Sequence, residues 1–198
     1  MGLPKATLPF GPESMVERVG RVLSTVVSPI VVVAAEGQPL PDFKLPVQIV
    51  RDQRPERGPL EGLAAGLAAL ASQVDAAYVT SCDVPLLEPG FVKRMIVRLG
   101  DHEAAVPMQA DMLHPLAAVY RTSVLKAIRS LLAADQLRLM GVFDLVDAVR
   151  VPVEELADVD PLLHTLRNLN TPADYLAALA SAGFAVPPAV LEALQREA

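Results

Sequence analysis

The sequence is poor in cysteine, aromatic residues and basic clusters, and each shortage excludes a class of protein. Cys82 is the single cysteine among 198 residues, which excludes an intrachain disulfide and a cysteine-rich metal site. Tryptophan is absent and aromatic residues make up 4% of the chain, so a stacking platform for single-stranded nucleic acid is not expected. The net charge of -6, without a basic stripe, argues against nucleic acid as a partner in general.

Long apolar runs are missing as well. No run reaches the ~18 residues that a membrane span requires, and the first residues show no signal-peptide pattern. A single cysteine is typical of a reducing compartment. We therefore expect a cytoplasmic protein that neither spans nor binds a membrane.

Apolar residues are abundant, at 52% of the chain, and their spacing predicts alternating strands and helices. Strands are predicted at 29–35, 47–50, 76–79, 104–108, 116–120 and 149–153. Helices are predicted at 14–25, 59–70, 89–99, 122–134, 137–145, 172–182 and 187–198. This order predicts an α/β fold, a three-layer α/β/α Rossmann-like domain with a mostly parallel sheet over residues 1–184, followed by a helical tail over residues 185–198.

The stretch around Asp83 is the most informative part of the sequence. A buried strand over 76–79 ends shortly before Asp83, and Pro85 prevents the strand from continuing. Ligands of open α/β sheets bind outside the carboxyl ends of strands. A carboxylate at this position can hold a hard cation such as Mg²⁺. The alternative is that Asp83 only caps the following turn.

Several helix starts can be predicted from their first residues. Pro59 and Pro172 stand where the first turn of a helix accepts proline. Thr122 and Thr171 are predicted to cap the helices that follow them. Gly58 and Gly62 are not explained by a plain helix start and permit close approach of a ligand to the backbone.

Five short motifs follow one another along nearly the whole chain. They are the end of a glycine-rich loop at Met1-Gly2-Leu3-Pro4-Lys5, then Gly58-Pro59-Leu60-Glu61-Gly62-Leu63, Cys82-Asp83-Val84-Pro85-Leu86-Leu87, His114-Pro115-Leu116-Ala117-Ala118-Val119-Tyr120-Arg121 and Asn168-Leu169-Asn170-Thr171-Pro172-Ala173-Asp174. In this order the set resembles the molybdenum cofactor guanylyltransferase (MobA-like) family of nucleotidyltransferases. The resemblance implies transfer of GMP from GTP to molybdopterin, with release of pyrophosphate and with Mg²⁺ as cofactor.

The resemblance also implies roles for individual residues. The predicted catalytic residues are Lys5, which would contact the phosphates, and Asp83, which would hold Mg²⁺ together with Asn170. The residues predicted to bind the nucleotide are Lys5, Asp52, Gly58, Pro59, Leu60 and Asp83. The residues predicted to bind the acceptor are His114, Asn168 and Asn170. Proteins that deliver molybdopterin and molybdoenzymes that accept the product are implied partners.

Several residues in or beside these motifs also have an interpretation that gives them no role in the site. Lys5 can be a solvated loop lysine, Asp52 a turn residue, and Asn170 a helix cap. Cys82 is interpreted as a core residue, because no basic partner that would activate a thiol is visible in the sequence.

The sequence departs from the family pattern at its beginning. The resemblance implies a first strand and a complete glycine-rich loop, of which only Met1 to Lys5 correspond. We therefore expect the strands at Ile30 and Ala76 to lack a shared neighbour, and the chain to be less stable and to bind GTP weakly. Two alternatives stay open, a cytidylyltransferase acting on the same cofactor and a non-catalytic nucleotide-binding protein.

Overall fold

The computed structural model describes residues 4–52, 54, 57–188 and 190–191. Its α-helices are α1 (Met15–Ser24), α2 (Gly58–Leu70), α3 (Pro89–Leu99), α4 (Leu125–Ala133) and α5 (Pro172–Ser181). Its strands are β1 (Pro9–Phe10), β2 (Glu13–Ser14), β3 (Val31–Ala34), β4 (Gln48–Arg51), β5 (Ala76–Thr80), β6 (Ala104–Gln109), β7 (Met112–Leu113), β8 (Ala117–Arg121) and β9 (Ala148–Pro152). Short 3-10 turns connect several of them, including Lys5–Thr7 and Leu139–Asp144.

None of the helices described here combines the length and the apolar character that crossing a membrane would require.

The helix starts follow the predicted capping rules with one exception. Thr171 accepts a hydrogen bond from the backbone N–H of Asp174, and the Asp174 side chain accepts one from the cap in return, so α5 begins as predicted. Thr122 does not cap α4. It lies in a 3-10 turn over Thr122–Val124, and its hydroxyl donates to the carbonyl of Asp75. The prediction for Thr122 was therefore wrong, because Thr122 already belongs to a turn that leads into α4, whereas an N-cap residue stands just before the helix, usually with extended backbone.

The described strands form a five-stranded mixed sheet and two separate two-stranded sheets, one of which is the antiparallel pair β1–β2. In the larger sheet the order is β5-β8-β6, with β7 and β9 also paired to β6. β8 is antiparallel to β5 and to β6, whereas β9 is parallel to β6, so β5, β6 and β9 share one direction. β3 and β4 pair in parallel with each other. The predicted α/β fold is confirmed, and β8 is the main exception to its parallel direction.

An elongated apolar cavity separates β3 from β5, and we call it the interstrand slot. Its two long sides are the facing edges of these strands, formed by Val31, Val33, Ala76, Tyr78 and Thr80. The slot has a volume of about 830 Å³. The two strands belong to different sheets, which agrees with the expectation that they lack a shared neighbour.

Helices cover both faces of the sheets and form the outer layers. On one face, leucines of α2 pack with α4 and with the buried ring of Tyr120. On the other face, Phe91, Met95 and Leu99 of α3 pack against Ala105 and Val119 of the sheet. This burial on both faces explains why the central strands are apolar at nearly every position.

A third apolar cluster packs the segment that contains β1 and β2 against α5. Phe10 and Met15 pack with Tyr175 and Leu179 of α5. The guanidinium of Arg18 lies over the ring of Phe10 at 5.3 Å and over the ring of Phe184 at 5.5 Å. Its Nε donates to the carbonyl of Pro85 at 2.8 Å. The Lys5 turn is thereby held close to the chain that follows β5.

The predicted tail over residues 185–198 lies partly outside the described residues. Val186 and Val190 pack against the same cluster as Phe10. The boundary between the domain and the tail stays a prediction.

The close approach of Phe184 to the β1–β2 turn leads to a prediction about stability. Gly11 has φ +67°, and a Cβ added there would lie 2.6 Å from the Phe184 ring, whereas Gly37 has φ +73° with nothing within 4 Å. We expect Gly37→Ala to cost ~1–2 kcal/mol for the left-handed conformation and Gly11→Ala to cost a further ~1–3 kcal/mol for overpacking. Urea unfolding of both variants measures the difference. Equal losses of unfolding free energy in the two variants would show that the Phe184 ring moves aside at no cost.

Candidate active site

The turn after β5 places Asp83 against a distant loop of the chain. The backbone N–H of Leu169 donates to the carbonyl of Asp83 at 2.9 Å, which fixes the loop over residues 168–170 beside the strand end. Asp83 is buried, with 8% of its surface exposed. A carboxylate with so little access to water needs partners that compensate its charge.

The partners of the Asp83 carboxylate are side chains from three parts of the chain. The Nζ of Lys5 lies 2.9 Å from Oδ2, and the Nδ2 of Asn168 donates to Oδ1 at 2.8 Å. The hydroxyl of Ser81 also donates to Oδ1. Lys5 Nζ donates in addition to Oδ1 of Asn170 at 2.7 Å. The structure thus brings together Lys5, Asp83, Asn168 and Asn170, as the motifs predicted.

These contacts decide between the interpretations left open for two residues. The hydrogen bonds that the described residues make to the Asp83 carboxylate all come from side chains, so the carboxylate does not cap the turn. The α5 cap is the hydroxyl of Thr171, while the side chain of Asn170 contacts Lys5. Asn170 takes part in the cap only through its backbone N–H, which donates to Asp174.

The oxygen atoms around Lys5 suit a hard cation. The described residues contain no group of three or more histidine, cysteine or acidic side chains that could hold a metal ion, so these side chains alone do not form a metal cage there. Mg²⁺ usually takes one or two carboxylates and completes its shell with water and substrate phosphates. Asp83 and Asn170 offer one carboxylate and one amide oxygen, and the ammonium of Lys5 already bridges them. This donor set therefore fits Mg²⁺ that is shared with phosphates.

Three of the residues predicted to bind the nucleotide lie at the carboxyl end of the interstrand slot. Asp52, Gly58 and Pro59 line this end together with Thr80. Gly58 has φ +68°, a conformation that explains glycine at the start of α2. The side chain of Leu60 is fully buried in the core, so Leu60 can offer a ligand only its backbone.

The environment of Asp52 contains an acidic residue that the sequence analysis missed. Glu61 of α2 is 7% exposed, and its carboxylate lies 3.6 Å from the Nε atoms of Arg54 and Arg57. Burial, and then the charge of Glu61, raise the pKa of Asp52. The four-residue spacing of Arg57 and Glu61 on a helix was the available signal.

Arg57 also ties the start of α2 to the end of α4. Its guanidinium lies 3.0 Å from Asp135 and donates to the carbonyl of Leu132. This contact connects the residue before Gly58 to α4.

His114 and Asn168 line a second cavity of about 190 Å³. Leu113, Pro115 and Thr165 form other parts of its wall. The Nε2 atom of His114 is buried without a partner among the described residues. Burial lowers the pKa of His114, which favours a neutral imidazole at neutral pH. Since Asn168 also contacts Asp83, this cavity adjoins the charged cluster.

Cys82 is not an activated thiol. Burial first, and then the charge of Asp83, raise its pKa, while Lys5 has a smaller opposite effect. A thiol with a raised pKa is a poor nucleophile at neutral pH, in agreement with its interpretation as a core residue.

The raised pKa of Asp52 leads to a prediction about pH dependence. Between the unfolded pKa of ~3.9 and the higher folded pKa, the native state binds more protons than the unfolded state, so stability falls as pH rises through this window. Asp52→Asn removes the loss, and we expect this variant to be more stable than the original chain near pH 7 but not below about pH 3. Thermal unfolding across pH tests this. Exposed Asp42 supplies the control, and an equal gain from Asp42→Asn would contradict the explanation.

Comparisons with known proteins place the chain among related sequences and structures. Residues 1–148 match the profile of the MobA-like NTP transferase domain. A probable molybdenum cofactor guanylyltransferase of Mycobacterium tuberculosis (strain ATCC 25618 / H37Rv) is 37% identical over 166 residues, which cover 82% of this chain and 80% of the relative. A protein of the same description from Mycobacterium avium (strain 104) is 36% identical over 187 residues, covering 92% and 89%.

Two solved structures share the fold. Molybdopterin-guanine dinucleotide biosynthesis protein A from Archaeoglobus fulgidus gives a TM-score of 0.74 at 20% identity, covering 92% of each chain. The 2-C-methyl-D-erythritol 4-phosphate cytidylyltransferase from Thermus thermophilus gives 0.66 at 17% identity, covering 91% of this chain and 94% of that one.

The profile covers well over half of the chain, and the relatives exceed a third in identity over most of it. The resemblance carried by the five motifs is thus confirmed, and the chain belongs to the MobA-like NTP transferase family and is a nucleotidyltransferase.

Proposed function

We propose that the protein transfers GMP from GTP to molybdopterin, in a Mg²⁺-dependent reaction that releases pyrophosphate. The observation that carries this proposal is the cluster of Lys5, Asp83, Asn168 and Asn170 at the carboxyl end of β5. The described activity of the mycobacterial relatives supports the choice of nucleotide and acceptor.

The reaction needs no nucleophile from the protein. A terminal phosphate oxygen of the acceptor attacks the α-phosphorus of GTP, and the bond between the α-phosphorus and its bridging oxygen breaks. The electron pair of that bond leaves with pyrophosphate. The work of the enzyme is then to align the two phosphates and to offset the charge that develops.

Lys5 is suited to the phosphate charge. Its ammonium is a compact cation on a flexible stem, and 31% of its side-chain surface is exposed. It can therefore turn from Asp83 towards phosphates that enter the site. Asp83 and Asn170 would hold Mg²⁺, which would supply further positive charge to offset that of the phosphates.

Asp52 and the Gly58 turn form the proposed site for the base. The Oδ1 atom of Asp52 is buried without a partner among the described residues, so it can accept a hydrogen bond from a ligand. Guanine presents two neighbouring N–H donor groups on one edge, whereas cytosine presents a single amino group. Backbone groups of Gly58, Pro59 and Leu60 would complete this site.

The cavity beside His114 is the proposed site for one end of the acceptor. At about 190 Å³ it is smaller than the ~300–1,000 Å³ of a typical ligand pocket, so it can enclose only part of molybdopterin. The unpartnered Nε2 of His114 offers a neutral polar contact, and Asn168 and Asn170 connect this cavity to the cluster. A cytoplasmic location, delivery proteins and molybdoenzyme partners belong to the same proposal.

The charge of Asp83 should be essential for turnover. We expect Asp83→Asn to keep the shape of the side chain but to lower kcat by ~10²-fold or more, a loss comparable to removing one transition-state contact. Asp158→Asn is the matched control, because Asp158 is an exposed partner of Arg94 outside the site. Turnover is measured at saturating Mg²⁺ on protein whose thermal unfolding is unchanged. Near-normal turnover by Asp83→Asn would reject the metal assignment.

The nucleotide preference can be measured without the acceptor. We expect GTP to bind at least ~10-fold more tightly than CTP, a difference of about 1.4 kcal/mol, because cytosine leaves polar groups of the site unpaired. The affinity for ITP, which lacks the amino group of guanine, should lie between the affinities for GTP and CTP. Titration calorimetry with the three nucleotides tests this order, and Asp52→Asn should reduce the advantage of GTP over ITP. Equal or tighter binding of CTP would favour the cytidylyltransferase alternative.

A further inference from the structure

A buried carboxylate outside the charged cluster shapes the chain that leads to Asn168. Asp160 has 1% of its surface exposed. Its Oδ1 accepts a hydrogen bond from the backbone N–H of His164 at 2.8 Å, and its Oδ2 accepts one from that of Thr165 at 2.9 Å. A buried charge is costly unless hydrogen bonds compensate it. These two bonds therefore satisfy the carboxylate and fix the short turn at His164–Leu166.

The same turn contains a backbone conformation that residues other than glycine seldom adopt. Leu163 has φ +50°, and the left-handed region is unfavourable for a residue with a Cβ. The N–H of Leu163 donates to the carbonyl of Asp160 at 3.0 Å. Such conformations persist only where the surrounding contacts enforce them, and they cluster at functional sites. The contacts of Asp160 thus hold the turn in a shape that the chain alone does not favour.

Thr165 connects this turn to the chain that follows Asp83. Its hydroxyl accepts a hydrogen bond from the backbone N–H of Glu88 at 3.0 Å, immediately before α3. Thr165 is also 1% exposed, so water does not replace this contact easily. We call the hydrogen bonds that join Asp160, Thr165 and Glu88 the far anchor.

The segment over residues 165–169 is held at its other end as well. There the N–H of Leu169 donates to the carbonyl of Asp83 at 2.9 Å, and we call this bond the near anchor. Asn168 lies between the two anchors and donates to the Asp83 carboxylate. The near anchor keeps the segment beside Asp83, and the far anchor sets how the rest of the segment lies.

This segment forms one wall of the second cavity. The residues that it contributes are Thr165, Leu166 and Asn168. Residues 113–117 form the opposite wall, which has a support of its own, because the Tyr120 hydroxyl donates to the carbonyl of Pro115 at 2.8 Å. The width of the cavity therefore depends on where the far anchor places the first wall.

We propose that Asp160 and Thr165 are positioning residues for the acceptor, because they place the wall that contains Asn168. The inference rests on the proposed function, in which the acceptor enters the second cavity. The ion pair of Lys5 with Asp83 and the near anchor are made by other groups. Loss of the far anchor should therefore affect the acceptor and leave the nucleotide in place.

The first test removes the hydroxyl of Thr165. Thr165→Val keeps the volume of the side chain but leaves the N–H of Glu88 without this acceptor. We expect the KM for molybdopterin to rise by ~10-fold, in proportion to one lost hydrogen bond and its unpaired partner. We expect kcat at saturating acceptor and the Kd for GTP to change by less than ~2-fold, the pattern of a lost binding contact. Thr165→Ser keeps a hydroxyl and should restore the KM.

Thr122→Val is the matched control. The hydroxyl of Thr122 also bonds to the backbone of another segment, since it donates to the carbonyl of Asp75. Asp75 precedes β5, at the end of the strand opposite to Asp83. The same change of side chain should therefore leave the KM for molybdopterin and the Kd for GTP unchanged.

A second variant tests the other part of the far anchor. The amide of Asp160→Asn has a single acceptor oxygen, so the N–H of His164 or that of Thr165 loses its partner. We expect hydrogen exchange at that amide to become ~10-fold faster, in proportion to one lost hydrogen bond. The KM for molybdopterin should rise at least as much as in Thr165→Val. Where Asp160→Asn does not fold, the two Thr165 variants decide the question.

Three results would overturn the proposal. They are an unchanged KM for molybdopterin in Thr165→Val, an equal rise in Thr165→Val and Thr165→Ser, and equal losses of affinity for GTP and molybdopterin. Each would show that Thr165 only supports the core.

Absence of turnover in the original chain would instead reject the proposed function. Calorimetry with molybdopterin alone then decides on the positioning role. Weaker binding by Thr165→Val than by Thr165→Ser supports this role, and equal binding or none contradicts it.

Discussion

The ion pair of Lys5 with Asp83 is the contact on which the candidate site depends. It joins residues 78 positions apart in the chain, and through Asn170 it reaches across 165 positions. Asp83 is buried, and a buried carboxylate is costly unless a cation or hydrogen-bond donors compensate its charge. The ammonium of Lys5 supplies this compensation. In the proposed reaction, phosphates would compete for the ammonium and leave Asp83 free for a metal.

The fold was predictable where local patterns and packing agree. The apolar run at 76–79 and Pro85 predicted the β5 end, and Thr171 with Pro172 predicted the start of α5. The Thr122 cap failed because a 3-10 turn over Thr122–Val124 precedes α4, so that α4 begins after Val124. A sequence pattern alone does not show whether such a turn extends the start of a helix.

The candidate site was predictable in its identity but not in its electrostatics. Motif order named Lys5, Asp83 and Asn170, and the structure joins them. The carboxylate of Glu61 beside Asp52 and the unpartnered Nε2 of His114 were not foreseen. Both depend on how deeply a side chain is buried and on what lies beside it, and these are properties of the tertiary packing.

Arg18 links the segment at Phe184 to the candidate site. Its guanidinium lies over the rings of Phe10 and Phe184, which contact each other edge to face, and its Nε donates to the carbonyl of Pro85, two residues beyond Asp83. One side chain thus connects three segments that are remote in sequence. A proteolytic cut or a bulky fusion that displaced Phe184 would remove one of these contacts and weaken the support of the turn that carries Asp83.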